Sequence, residues 1–184
     1  VTSGTAGALA TVELLVGLGE GSGALSTPDG DAARRALRRM ASGVTVLTIS
    51  EDGLRHGATV SALVPVSREP LLVAACLTSG SSLAGMVKRA RLFSVNVLAS
   101  GQGDLAYRFA DPRRRPGDAQ FGAERWTTDQ VTGAPLLGGC LAHLSCRATD
   151  WFPAGDHDLI IAEVLGGNPG AGLPLLTFAG RLHT

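Results

Sequence analysis

The stretch from Gly57 to Ser67, GATVSALVPVS, carries the reading that decides the fold. It follows a turn, EDG (51–53), and a run, GVTVLTIS (43–50), that alternates and is rich in β-branched residues. Alternation with β-branched side chains is the pattern of strands. In a regular strand Gly57, Thr59, Ser61 and Leu63 share one face, which sets two hydroxyls side by side. Small residues and backbone amides let a flat ring approach closely, and hydroxyls hydrogen-bond its polar edge. The same face also suits an ordinary half-exposed strand, so its chemistry depends on what surrounds it.

Outward from this stretch, strands dominate. LLVAACL (71–77) is a continuous apolar run that reads as a buried strand, and FSVNVLA (93–99) follows a short helix, LAGMVKRA (83–90). A helix GDLAYRFA (103–110) and a polar loop DPRRRPGDAQ come next, in which Arg113, Arg114 and Arg115 read as solvated. CLAHLSCRATDWF, HDLIIAEVLGG and PLLTFAGRL supply further strands in the last third. Upstream, DAARRALRRMA (31–41) reads as a helix capped by Asp29 or Asp31 and stopped by Gly43. Its apolar stripe is Ala33, Leu37, Met40 and Ala41, and Arg34, Arg35, Arg38 and Arg39 form a solvated face. The expectation is a mainly β domain over residues 29–184 with three short helices, preceded by a loosely attached extension over residues 1–28. Within that extension, residues 8–18 are apolar but carry Glu13 and have no basic residue before them. They fit neither a signal peptide nor a membrane span of about 20 apolar residues.

Composition narrows the function. A chain of 184 residues is long enough for one domain with a real core, and 45% hydrophobic residues exclude wholesale disorder. Lys+Arg and Asp+Glu balance at 16 each, so the basic field that non-specific nucleic-acid binding requires is absent. Three cysteines, an odd number set in apolar runs, fit a reducing cytoplasm and no disulfide framework.

Several motifs compete for the chemistry. GQGDLA (101–106) matches the glycine fingerprint of a dinucleotide-binding turn, and Glu124 lies where a ribose-binding acid is expected. The helix after it leads into DPRRRPGDAQFGAERW rather than a buried strand, so the βαβ unit does not close. Cys140, His143 and Cys146 lie in a strand-like segment whose alternation puts His143 opposite the cysteines, and no metal is expected there. No G-x-S-x-G elbow signals a serine hydrolase. In AGDHDLIIAEV (154–164) a turn presents His157 at the mouth of an apolar strand. That residue is either an incidental surface imidazole or a polar group placed where a cofactor enters.

Taken in order, RRALRRMASGVTVLT, GATVSALVPVSREPLLV, FSVNVLASGQGDLAYRFA, FGAERW, GAPLLGGCLAHLSCR, AGDHDLIIAEV and PLLTFAGRL resemble the flavin reductase-like family over about residues 32–184. The resemblance implies a homodimeric, Greek-key split β-barrel that binds FAD or FMN near the subunit interface. In that family Gln102 of the VNVL…Q…LA..FA stretch needs no flanking glycines, which accounts for the dinucleotide-like match. On matching positions the resemblance puts Val44 and Thr45 near the flavin ring, and Thr59, Ser61 and Ala62 along it, with Ser67 at the motif's end. It puts Cys76, Leu77, Ser81 and Ser82 on the ribityl chain and phosphate, Phe109 near the flavin, and His157 beside the nicotinamide as the catalytic-site residue. Leu63, Pro65 and Leu83 depart from the family's usual aromatic, Ser and Thr.

The implied activity is hydride transfer from NADH, rather than NADPH, to flavin, with reduced flavin passed to a partner monooxygenase. Two alternatives share the fold: an oxidoreductase or oxygenase acting directly on an organic substrate, and a non-catalytic flavin-binding module.

Overall fold

The computed structural model describes residues 28–122 and 124–184. Helix α1 (Pro28–Leu37) leads through a turn to the short β1 (Ser42–Gly43), then β2 (Thr45–Glu51), β3 (Leu54–Val60), β4 (Leu63–Arg68) and β5 (Leu71–Thr78). Helix α2 (Ser82–Ala90), β6 (Leu92–Val97), helix α3 (Gly103–Ala110) and a 3-10 turn (Gly117–Gln120) follow. The chain ends with β7 (Trp126–Thr128), β8 (Pro135–Leu137), two long strands β9 (Ala142–Ala154) and β10 (His157–Pro169), and the hairpin β11 (Leu176–Phe178) and β12 (Arg181–His183).

Seven strands form one antiparallel sheet in the order β3-β2-β6-β9-β10-β5-β4. Its two outer strands, β3 and β4, are consecutive in the chain and joined only by Ser61 and Ala62. The three steps from Val60 to Leu63 span at most about 11 Å. The sheet therefore has to curl until its edges meet, which makes a barrel split along the β3–β4 seam. The corner is pinned where Cys76 N donates to the Ala62 carbonyl at 2.9 Å. GATVSALVPVS is thus two strands and a corner rather than one regular strand, because Val60 pairs with Thr45 and Leu63 pairs with Ala75 on the far side of the sheet.

The barrel interior is filled by Leu47, Ile49, Phe93, Val95, Cys146 and Ile160, and plugged by Leu83, Met86 and Val87 of α2. A second apolar layer, Val44, Val46, Leu98, Phe109, Phe121 and Leu137, lies against α3. Strand β2 feeds both layers and is buried on both faces. Its threonine hydroxyls are satisfied internally: Thr45 Oγ1 donates to Val60 O at 2.6 Å and Thr48 Oγ1 to Pro135 O at 2.6 Å. Buried Asn96 joins the two layers, its amide donating to Val46 O at 3.0 Å while its Oδ1 accepts from Leu137 N at 2.7 Å. The buried carboxylate of Asp129 accepts from the hydroxyls of Ser94, Ser145 and Thr132 and from Val131 N.

Some sequence expectations shift. Helix α1 starts at Pro28 and ends at Leu37, and Leu37 and Met40 are 53% and 72% exposed, so its expected stripe is not packed on the barrel. PLLTFAGRL folds as a hairpin beside β1 instead of one strand. Cys140 precedes β9 and packs in the layer against α3, whereas Cys146 lies inside the barrel. The expected extension falls, but for Pro28, outside the described residues. No described helix is long and apolar enough to cross a membrane.

Candidate functional site

A cavity of about 470 Å3 opens at the β3–β4 corner. That is within the about 300–1,000 Å3 typical of small-molecule sites. Ala58, Thr59, Val60, Ser61 and Ala62 line it along the seam, Cys76, Leu77 and Thr78 from β5, and Phe109 and Ala110 from the end of α3. Ser81, Ser82 and Leu83 contribute the start of α2, and His157 the first residue of β10.

Glycine at position 57 is a packing requirement. Phe109 lies so close under β3 that a Cβ on Gly57 would meet its ring at 2.8 Å. Gly57 is on an edge strand, where outward-facing backbone groups lack a ladder partner. Two side chains supply one: Gln120 Oε1 accepts from Gly57 N at 2.9 Å, and Arg114 donates to Gly57 O from both Nε (3.1 Å) and Nη2 (2.8 Å).

The hydroxyls are not equivalent. Thr59 Oγ1 donates to the Ala106 carbonyl of α3 at 2.7 Å, so its remaining capacity toward a ligand is as an acceptor. Ser81 caps α2, accepting from Ala84 N at 3.2 Å. A capped helix start directs backbone N–H groups and the positive end of the helix dipole at whatever lies before it.

His157 is held from two sides. It pairs with Thr78 across β5, and the carbonyl of Asp156 beside it accepts from Ser79 N at 3.0 Å. Its Nδ1 lies 2.8 Å from Asp156 Oδ1, and this hydrogen bond holds the Asp156 carboxyl below its usual range. Because a carboxylate only accepts, Nδ1 donates and Nε2 is turned away from Asp156. Burial pushes the Cys76 thiol up, so it stays protonated at neutral pH and is a wall rather than a nucleophile. His56 is pushed down from 6.5 to about 4 by burial and the neighbouring Arg114 guanidinium, and is neutral at pH 7.

Nine of the residues implicated from sequence therefore meet around one cavity: Thr59, Ser61, Ala62, Cys76, Leu77, Ser81, Ser82, Phe109 and His157. Val44, Thr45 and Ser67 do not. Val44 is fully buried, with its backbone bonded to Leu98 and Leu175, and Thr45 turns its hydroxyl onto Val60 O. Ser67 sits beyond the bulge of β4. Conversely, His56, Arg114 and Arg115 line the cavity; Arg115 is exposed as expected, whereas half-buried Arg114 corrects the reading of it as solvated. Nothing local in DPRRRPGD distinguishes Arg114 from its neighbours, since its partner Gly57 is 57 residues away.

The fold and cavity define a class: a split β-barrel whose corner site combines a floor of small residues, a helix start and a wall that includes arginine and histidine but no Asp or Glu. Such a site accommodates a planar ligand that carries negative charge. Comparison with known proteins places the chain within that class. The profile of the flavin reductase like domain matches residues 37–184, and the chain belongs to this family. It is 43% identical over 151 residues to an NADPH-flavin oxidoreductase of Streptomyces viridifaciens, covering 82% of this chain and 78% of the relative. It is 34% identical to the reductase component of the 4-nitrophenol 4-monooxygenase/4-nitrocatechol 2-monooxygenase of Rhodococcus opacus, covering 80% and 77%. Among solved structures, the NADH:FAD oxidoreductase of Streptomyces globisporus superposes with a TM-score of 0.78 at 31% identity, covering 89% of this chain and 98% of that one. The flavin reductase component of a bacterial two-component tryptophan halogenase gives 0.78 at 29% identity, with 84% and 97% covered.

Proposed function

We propose that the chain is an NAD(P)H-dependent flavin reductase that binds FAD or FMN in the corner cavity and supplies reduced flavin to a partner monooxygenase. The observation that carries the reading is the cavity itself, where β3 and β4 meet in small residues and no acidic side chain opposes a phosphorylated ligand. When bound, the flavin supplies an acceptor for the hydride that the nicotinamide donates.

The chain's own part is positioning. Ala58, Ala62 and the corner backbone allow a flat ring to lie close, and Phe109 backs it from below. Thr59, its proton held by Ala106, offers an acceptor edge. Backbone N–H groups at the corner and the Ser61 side chain face the polar edge of the ring, where fixed dipoles stabilise developing negative charge. The start of α2, with Ser81 and Ser82, receives the ribityl phosphate. His157, oriented by Asp156, holds the nicotinamide nucleotide. No base is required, because hydride transfer to the flavin leaves no proton for the protein to abstract.

The family resemblance implied NADH; relatives are named for both nicotinamides, so both belong in the test. A homodimer is part of the proposal, supported by exposed Val64, Val66 and Leu71 on the β4–β5 edge. A reducing, cytoplasmic setting accords with the three free cysteines.

Anaerobic mixing of the protein with free FAD or FMN and with NADH or NADPH tests the activity. Rapid bleaching of the flavin band at about 450 nm is expected. Failure of both nicotinamides to bleach either flavin sinks the reading, and bleaching only after an organic substrate is added replaces it with a direct oxygenase.

A further inference from the structure

The cavity has two cationic features that lie on different elements. One is the start of α2 beside His157. The other follows α3, where Arg114 and Arg115 line the wall together with His56. Strand β3 runs along the cavity from His56 to Val60 before the Ser61–Ala62 corner, a distance of about 14 Å at the usual rise per residue. The arginine wall and the corner are therefore separated by more than the width of a single phosphate.

Six of the fifteen arginines have a described carboxylate partner. Arg34, Arg55, Arg89, Arg108, Arg113 and Arg147 each lie within salt-bridge distance of a carboxylate. Among the described residues Arg114 and Arg115 have none. Arg114 is half-buried, and every acceptor around it is neutral: Gly57 O, Asp111 O at 2.9 Å, His56 Nε2 at 3.2 Å and Gln120 Oε1 at 3.4 Å. Bonding Gly57 O explains why a donor stands there but not why it carries a charge, which costs more to desolvate than a neutral donor. Arg115 has no such structural duty and is exposed at the mouth. The nearby Asp111 carboxylate acts on Arg114 but is hydrogen-bonded to Arg113, and with His56 neutral and no acid in the wall the cavity side presents the two guanidiniums. A guanidinium is well matched to phosphate oxygens.

We propose that Arg114 and Arg115 form a second anion subsite, separate from the start of α2, that receives a second phosphate of a dinucleotide and so sets which dinucleotide the enzyme prefers. This rests on the flavin reductase reading. Two ligands of that reaction carry a phosphate that their competitor lacks: NADPH its 2′-phosphate, against NADH, and FAD the phosphate of its adenylate half, against FMN. The shared chemistry is a phosphate held by a pair of arginines.

The test compares wild type with Arg115→Gln, an exposed change that leaves the Gly57 contacts intact, and with Arg114→Lys, which keeps charge but loses the fork. Two ratios of kcat/KM are read: NADPH to NADH at fixed FMN, and FAD to FMN at fixed NADH. A fall of about tenfold in the first ratio assigns the subsite to the 2′-phosphate, and the same fall in the second assigns it to FAD. Both ratios within about twofold of wild type in both variants overturn the subsite. Titration of 2′-phospho-AMP and of ADP into the same three proteins by calorimetry keeps the question separate from catalysis. If wild type reduces no flavin, the reductase reading fails, while loss of 2′-phospho-AMP or ADP binding in Arg115→Gln still supports the anion subsite. Unchanged binding of both overturns it.

Discussion

A methyl group on Gly57 would stand 2.8 Å from Cε1 of Phe109 and 3.1 Å from its Cδ1. Phe109 is fully buried, packed against Phe121 at a ring-centroid distance of 5.4 Å. Phe109 also lines the cavity, so a methyl that displaces its ring disturbs the cavity wall. Gly57→Ala is expected to cost about 1–3 kcal/mol of stability, as overpacking does. It is also expected to weaken flavin binding about tenfold, measured by quenching of flavin fluorescence. Gly43→Ala, where nothing lies within 4 Å of the new Cβ, is the control and should stay within about 0.5 kcal/mol. Equal effects at both positions would show that the Phe109 contact is irrelevant.

Asp129 is expected to contribute to the acid limit of the fold. Burial alone would raise its carboxyl. The hydrogen bonds from Ser94, Ser145, Val131 N and Thr132 outweigh that and hold it below its usual 3.8. A depressed carboxyl stabilises the fold above the unfolded value, and that contribution is lost as pH falls through the folded one. Asp129→Asn should cost about 1.5–3 kcal/mol at neutral pH, because a charged acceptor is lost. It should also flatten the decline of stability below pH 3.8 in denaturant titrations. An unaltered acid limb would place the transition on other carboxylates.

The strands and helices around the cavity were legible because their signals are local. The run LLVAACL, the helix GDLAYRFA and the GDH turn each occupy the element their pattern implies. The corner was not legible. Thr59 and Ser61 look like neighbours on one strand face, but the partners of Val60 and Leu63 lie on opposite edges of the sheet, and no local pattern encodes that pairing. Arg114 was missed for the same reason, since the carbonyl that fixes it belongs to Gly57. The apolar stripe of α1 misled in the other direction: Leu37 and Met40 have helical spacing, yet the barrel offers them no surface.

His56 supplies a second pH effect, at milder acidity. Its pKa is depressed from 6.5 to about 4, mainly by burial and then by Arg114. For a histidine depressed in the fold, the unfolded chain binds more protons between those two values. Stability is therefore full above pH 6.5, declines as pH falls toward about 4, and levels off below that. His56→Gln should remove this part of the decline while leaving the Asp129 limb, as read by urea midpoints across the range. A decline of unchanged slope in the variant would assign it to another group.

His157 is the last relationship to test, because its geometry separates two ligands that share one cavity. Asp156 fixes Nδ1 at 2.8 Å, and the pairing with Thr78 fixes the backbone, so Nε2 has a defined direction. The proposed flavin contacts come from β3, the corner and α2, none of which depends on the imidazole. His157→Ala should therefore raise the nicotinamide KM about tenfold, the effect of losing one well-placed hydrogen bond, with flavin Kd changed less than about threefold. Asp156→Ala should produce a smaller rise in the same KM, since it frees the ring without removing it. If flavin affinity instead falls more than nicotinamide KM rises, His157 belongs to the flavin site, and the nicotinamide must be held elsewhere on the cavity wall.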